Sequence, residues 1–468
     1  MKRGIVRALP LLAILLIAAC SGGSVNPSLM SQNGSAIEQG GAAPPDALTG
    51  PESREAPFVG PDPVRRLCPT SQDSATMECL AMVRTDVDPA PRPGADLEDA
   101  ARNCIFSNAY CPVDLQSAYA LPSRTKGDGR LVAIVDAWGY HHAASDLAYY
   151  RKTMGLKACT IATKCLRIVN QNGKPSPLPP ESPPSDDWKG EQSLDLDMVS
   201  AICPNCKIVL VQTDDNYTSS LYTGVKTAGR LGAKYIGVSW GGPESGGDNP
   251  IFHQHGVVIV ASAGDNGGGG TLSGARGGPA QPCSYTYVVC AGGTRLVPAH
   301  NARRWSESVW NDLTYDRCGL GSSPCGATGS GCSRKIGKPP WQTDTQCHMR
   351  SEADVSATAS LRNPVAVYNS EESGGPCPSN CWFAFGGTSA SAQIISGVYA
   401  LAGNAGTQAG AENIWKHHVG HTNDVTVGNN IDPGVGVTCA SPIHYICFAR
   451  VGFDGPTGWG SPKGIGAF

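Results

Sequence analysis

The chain has 468 residues, 40% of them hydrophobic and 16% charged, enough to bury a large core and too apolar for disorder throughout. Its net charge of -3 and pI near 6.4 leave no basic footprint for nucleic acid and no polybasic patch for a membrane surface. Composition excludes those classes and indicates only a globular protein.

Lys2, Arg3 and Arg7 precede an apolar run from Leu9 to Ala19 that is shorter than the ~20 residues needed to span a bilayer. Residues 1–19 therefore read as a signal peptide. Ile17-Ala18-Ala19-Cys20 followed by Ser-Gly-Gly resembles a bacterial lipoprotein box, which would make Cys20 a lipidated first residue; an ordinary signal with an incidental cysteine is the alternative. No later stretch is long and apolar enough to span a membrane, so any membrane attachment is expected at Cys20 alone.

Apart from Cys20, eighteen cysteines remain, an even number that suits an oxidising compartment. Near neighbours such as Cys68 and Cys79, Cys104 and Cys111, Cys159 and Cys165, Cys283 and Cys290, Cys377 and Cys381, and Cys439 and Cys447 suggest local pairing, although sequence does not fix connectivity. Cys203-Pro-Asn-Cys206 is read as a structural disulfide, because it follows a helix instead of opening one. With no second such pair, zinc is not expected.

Residues 20–63 are rich in Ser, Gly, Pro and Ala and read as a flexible tether; 64–110 form a small cysteine-containing N-terminal segment, too short for its own core. After Cys111, candidate strands at Leu131 to Val135, Leu166 to Val169, Lys207 to Val211, Tyr235 to Val238 and Val257 to Ala261 alternate with helical stretches at 143–154, 190–202 and 217–230. That alternation predicts a doubly wound, mostly parallel α/β sheet flanked by helices. From about 263 to 385 the texture is Gly-, Ser- and Cys-rich and reads as long, disulfide-stapled loops.

GGTSASAQIISGVYALAG, from Gly386, predicts a tight turn leading into a buried helix with Ser389 at its N-terminus, where free amides favour developing negative charge. On the residues alone, Thr388 and Ser389 could equally serve as helix caps. Ser391 occupies the place of the last glycine of a GxSxG elbow, so this is not that motif. GEQSLDLDMVSAI (190–202) places Glu191 and Asp195 four apart on one helix face, where two carboxyls would share a proton; an exposed acidic face is the alternative. Asp197 is the fallback acid. Asp265, in SAGDNG, follows the strand ending at Ala261 and could be a loop cap.

Gly-Thr-Ser at a helix start resembles the serine motif of the subtilisin clan, and GE-x-x-LD before CPNCKIVLV resembles the acidic motif of its sedolisin branch, with none of the ten histidines in a subtilisin-like context. RLVAIVDAWGYHHAASDLAYYRKTMGL (130–156), SWGGPE (239–244), YVVCAGGT (287–294) and RSEADVSA (350–357) match in the same order, so the resemblance covers 111–468. It implies a subtilisin-like fold and an acid-acting serine-carboxyl peptidase on polypeptides, a monomer that is secreted or lipid-anchored. Ser389 would be the nucleophile, Glu191 and Asp195 the base, and protonated Asp265 the oxyanion donor. Asp136 and Trp240 would support the acidic pair, unless they only pack at strand ends. NDVTVG (423–428) and ARVGFDGPTGWGSP (449–462) resemble the halves of a structural calcium site. Asp424 and Asp454 would supply carboxylates, and Val425, Arg450 and Gly452 carbonyls. Gln393 and Ala353 stand where the family has proline, and too few residues precede the domain for the family's long propeptide. A catalytically inactive binding module and a histidine-based subtilisin are the competing readings.

Overall fold

The computed structural model describes residues 63–71, 73–268, 278–313, 325–371, 377, 380–405, 410–431, 439 and 444–468. The expected signal peptide, Cys20 and the tether up to residue 62 lie outside the described residues. Those described all belong to one compact unit, and no helix among them is long and apolar enough to cross a membrane.

The five expected strands form the middle and one flank of an eight-stranded sheet: β1 (Leu131–Ala137), β2 (Leu166–Asn170), β3 (Lys207–Thr213), β4 (Tyr235–Val238) and β5 (Val258–Ser262). Three more, β6 (Val288–Pro298), β7 (Trp305–Val309) and β8 (Val355–Thr358), complete it. The order is β7-β6-β5-β4-β1-β3-β2, with β8 also on β6, and only the β6/β7 pair is antiparallel. The central strands are buried on both faces, which is why they read as unbroken apolar runs instead of alternating ones.

Helices α1 (Ala143–Thr153), α2 (Trp188–Ile202) and α3 (Thr218–Arg230) make the crossovers, and α4 (Thr388–Ala402) carries the serine motif. Helices α2 and α4 are buried almost all round and lie against each other. Their closeness depends on Gly397, where a Cβ would stand 2.7 Å from Ile202. This contact brings the acidic helix alongside the serine helix.

The expected loop region, 263–385, holds more strand than its composition suggested, including β6, β7, β8 and Ala327–Gly337, Val365–Tyr368 and Trp382–Gly386. The glycines that mimic loop chemistry here allow close packing: a Cβ on Gly292 would meet the Pro456 carbonyl at 2.4 Å, and one on Gly293 the Trp310 ring at 2.8 Å. Every suggested local cysteine pair is a disulfide, as is Cys203–Cys206, and Cys332 joins Cys347.

Candidate active site

Strand Trp382–Gly386 turns into α4 at Gly387, whose φ of +98° favours glycine. A Cβ there would also meet the Leu80 carbonyl oxygen at 2.2 Å and Asp265 Oδ2 at 2.6 Å. Gly387, which has no side chain, is the N-cap, and Ser389 lies inside the first turn, so the serine is not the capping residue. Its hydroxyl donates to the Ser239 carbonyl at 3.3 Å and lies close enough to the Glu191 carboxyl to favour the ionised form of that acid.

Glu191 and Asp195 are fully buried, so the exposed-face reading of their helix falls. Glu191 Oε2 accepts from the Ala81 amide at 2.8 Å, and Asp195 Oδ2 accepts from Gln393 Nε2 at 2.6 Å. Asp136, near the end of β1, faces the same space with neither carboxyl oxygen partnered. Burial pushes Asp136 up to about 8. Burial, then the charge of Asp136, raises both Glu191 and Asp195 well above the usual carboxylate range. The three acids therefore share protons among them at pH values where solvated carboxyls have lost theirs, so that one can be ionised beside protonated neighbours, and they titrate as a group. Trp240 Nε1 donates to the Val135 carbonyl at 2.7 Å, fixing the strand end beside Asp136.

Asp265 follows β5 and reaches α4 from the other side. Its Oδ1 accepts from the Thr388 amide at 2.8 Å and the Thr388 hydroxyl at 2.6 Å, while Oδ2 has no partner. Burial raises its pKa to about 6, with the Thr388 bonds and the Arg66 charge opposing. Below that pH the proton belongs on Oδ2, because Oδ1 already receives two donors. The site thus places a hydroxyl, a proton-holding acid group and a second, separately held acid around the first turn of one helix.

The sequence profile described as "Subtilase family" matches residues 183–437, more than half of the chain. The chain belongs to the subtilase family. Curated relatives of this subtilase are kumamolisin of Bacillus sp. (strain MN-32), 28% identical over 388 residues, and sedolisin of Pseudomonas sp. (strain 101), 25% identical over 387 residues. The alignments take in 78% and 76% of this chain, but 64% and 60% of the relatives' own lengths. A solved structure of Pseudomonas sedolisin, a serine-carboxyl proteinase complexed with two molecules of pseudo-iodotyrostatin, matches with a TM-score of 0.59 and 24% identity. That match covers 76% of this chain and 95% of the other and shows a shared fold. The sedolisin resemblance read from the motifs is borne out.

Gln393 in this subtilase has a role its sequence position did not reveal. Its Nε2 bridges Asp195 Oδ2 and the Ser239 hydroxyl, the latter at 2.9 Å. Gly237 makes room for it, since a Cβ there would stand 2.1 Å from Gln393 Oε1. The signal available in the sequence was the replacement of proline by a residue able to donate. Asp197, the fallback acid, accepts instead from the Tyr368 amide at 3.0 Å and lies among Tyr150, Arg151 and Asp146. His141 and His142 pair with Glu181 and Glu371 at exposed positions, and no histidine appears among the described partners of Ser389.

A stretch of the N-terminal segment lies over the site. Glu78 and Cys79 pair antiparallel with Gly241 and Trp240, and the Leu80 amide donates to the Ser239 carbonyl at 3.1 Å. Met82 and Val83 pair with Gly386 and Phe385 beyond the serine.

At the far end, Thr422–Asn423 pairs with Ser461–Pro462 and joins the two predicted halves of the calcium motif. Asp424 Oδ2 accepts from the Gly452 amide at 2.9 Å, and Asp454 accepts from the amides of Arg450 (3.0 Å) and Thr457 (2.9 Å). Asp454 is buried and its pKa rises to about 7, through burial first and with the nearby Asp424 charge adding to the shift. The Arg450 side chain does not relieve this: its Nε donates to the Phe453 carbonyl and its guanidinium lies over the Tyr445 ring. Two neighbouring carboxylates, one buried and none paired to that guanidinium, fit a hard cation. Val425 is buried beside Asp424, whereas Arg450 and Gly452 are seen here as amide donors to the carboxylates.

Proposed function

We propose that the chain is an acid-acting serine-carboxyl endopeptidase on polypeptides. The carrying observation is the convergence of Ser389, Glu191 and the free oxygen of Asp265 on one buried point. Ser389 attacks the peptide carbonyl and its proton passes to Glu191, which later returns it to the leaving amine. Asp195, held by Gln393 and coupled to Asp136, sets how readily Glu191 accepts and gives back that proton. Asp265, protonated on Oδ2, donates to the oxyanion, which the ionised acid would repel.

Acid activity follows from Asp265, whose donor is present only below about 6. The strand edge at Trp240–Pro243 suits an extended peptide, which it would bind by main-chain pairing. Asp424 and Asp454, with the backbone at Val425, Arg450 and Gly452, would hold one structural calcium ion, neutralising the buried carboxylate pair. The enzyme would be exported and monomeric, either secreted or lipid-anchored through Cys20. Hydrolysis of a peptide library by wild type and Ser389→Ala across pH tests the reading: cleavage by wild type in acid and none by the variant supports it, and equal cleavage by both defeats it.

A further inference from the structure

Two buried carboxyls outside the catalytic group take no part in the chemistry of Ser389. Glu244 directly follows the Trp240–Pro243 edge, on which a peptide would pair, and Glu352 ends the strand Met349–Glu352. Glu352 is fully buried and Glu244 nearly so, and among the described residues no cation pairs with either. Acids kept from water in this way are costly unless hydrogen bonds compensate them.

Those hydrogen bonds all go to the surroundings of the substrate edge. A short strand, Ala280–Gln281, backs that edge, with Ala280 opposite Pro243 and Gln281 opposite Gly242. The two strands together make the platform that a bound peptide would extend. Glu352 Oε2 accepts from the Ala280 amide at 3.3 Å and so fixes the inner strand. Glu244 Oε1 accepts from the Ser333 hydroxyl at 2.6 Å and Oε2 from the Arg334 amide at 3.1 Å, which ties the end of the outer strand to Ala327–Gly337. That hydroxyl is itself held, because Ser333 Oγ accepts from the Lys335 and Ile336 amides at 3.1 Å and 2.8 Å. Ala327–Gly337 pairs in turn with Met349–Glu352, Gly331 standing opposite Glu352, and a Cβ on Gly331 would meet Pro279 Cδ at 2.5 Å. Both strands of the platform are thus anchored to one support, each through one glutamate. The Ala280 side chain also flanks Gly241, 3.7 Å from where a Cβ would stand, beside the space that Leu80 fills. A shift of Ala280 therefore changes the room left for a substrate side chain as well as the line of the edge.

We propose that Glu244 and Glu352 are positioning residues for the substrate, a carboxyl pair that holds both strands of the binding platform in register and so sets how tightly a peptide is bound. This rests on the peptidase reading above. The charged groups around Glu352 are Glu244, Arg350 and Asp354, and the Arg350 guanidinium is committed to Asp354, donating to both carboxylate oxygens. The Cys283–Cys290 disulfide, whose sulfurs lie within 4.8 Å of a Glu352 carboxyl oxygen, adds no charge. Burial, then the charge of Glu244, raises Glu352 well above the usual carboxylate range. Its proton belongs on Oε1, which has no partner, because Oε2 receives the Ala280 amide. Neutral, Glu352 can stand beside Glu244; ionised, it would set two like charges in a space without water.

The test measures kcat and KM separately at about pH 4, on an added peptide long enough to pair along the edge. Glu352→Leu should raise KM about tenfold and leave kcat within about twofold, since the Ala280 amide loses its acceptor while the catalytic acids are untouched. Ser333→Ala, which takes the hydroxyl away from Glu244, should shift KM in the same direction. Glu352→Gln, whose carbonyl can accept from Ala280 and whose amide replaces the protonated oxygen, should restore the wild-type KM. Glu352 holds its proton in the fold above its unfolded value near 4.5, so wild type loses stability as pH rises past that value. The melting temperature of Glu352→Gln relative to wild type should therefore climb between about pH 4 and about pH 7. An unchanged KM in Glu352→Leu, a KM raised as much in Glu352→Gln as in Glu352→Leu, or melting temperatures of Glu352→Gln and wild type that move in parallel with pH would overturn the proposal and leave the peptidase reading standing. Should Glu352→Leu fail to fold, an unchanged KM in Ser333→Ala or a raised KM in Glu352→Gln would overturn it equally. Absence of hydrolysis by wild type would remove the peptidase reading, and this one with it.

Discussion

Asp265→Asn separates the two consequences of burying this acid. A carboxyl raised to about 6 in the fold and near 3.8 when unfolded keeps its proton in the native state while the unfolded chain gives it up. The stability this contributes is fully present below about pH 4 and is lost as pH rises through about 6, the loss amounting to about 3 kcal/mol at pH 7. An asparagine does not titrate, and the Thr388 amide and hydroxyl, which both donate to Oδ1, fix its carbonyl there and leave its amide where Oδ2 stood. For a unfolding unit of about 400 residues, removing this pH dependence should raise the variant's melting temperature relative to wild type by about 3 °C on going from about pH 4 to about pH 7. Differential scanning fluorimetry at both pH values measures it. The same variant should retain a donor at neutral pH, so the part of the activity loss due to Asp265 should vanish, leaving only the Glu191 and Asp195 limb. Melting temperatures of variant and wild type that move in parallel with pH would refute the reasoning. Asp265→Ala, lacking any donor, should lose ~10²–10³ in turnover in acid.

Glu191→Gln should be nearly inactive at every pH while folding normally, since an amide cannot relay a proton; full turnover would return the base to a histidine. Gln393→Leu removes the bond that favours ionised Asp195, so its alkaline activity limb should move up in pH with reduced kcat, whereas a purely structural role would lower stability and leave the limb in place. Chelation should lower the melting temperature if calcium occupies the Asp424 and Asp454 site, and identical melts with and without chelator, with no calcium by metal analysis, would reject the ion.

The sheet was legible because its strands are apolar on both faces and its crossovers keep helical periodicity, so β1 to β5 and α1 to α4 emerge close to their observed bounds. Between 263 and 385 the sequence misleads: Gly292 and Gly293 look like loop residues, yet they let a strand pass close beneath Pro456 and Trp310. The site residues Glu191, Asp195, Asp265 and Ser389 could be named from motifs, and α2 with α4 brings them together. Of their surroundings, the resemblance named Asp136, whose charge raises both acids, but not Gln393, which reaches Asp195 across the helix interface. Nor does local pattern reveal that Leu80, more than 300 residues from Ser389 in sequence, lies in the cleft, since that contact is made by backbone pairing to which side-chain identity contributes little.

The most direct test of the central claim is the rate of peptide hydrolysis by the wild-type chain as a function of pH, measured on one added peptide. Carboxyl-driven catalysis predicts a maximum in acid and a decline as pH rises through about 6, where Asp265 gives up its proton. A maximum above neutrality would contradict it.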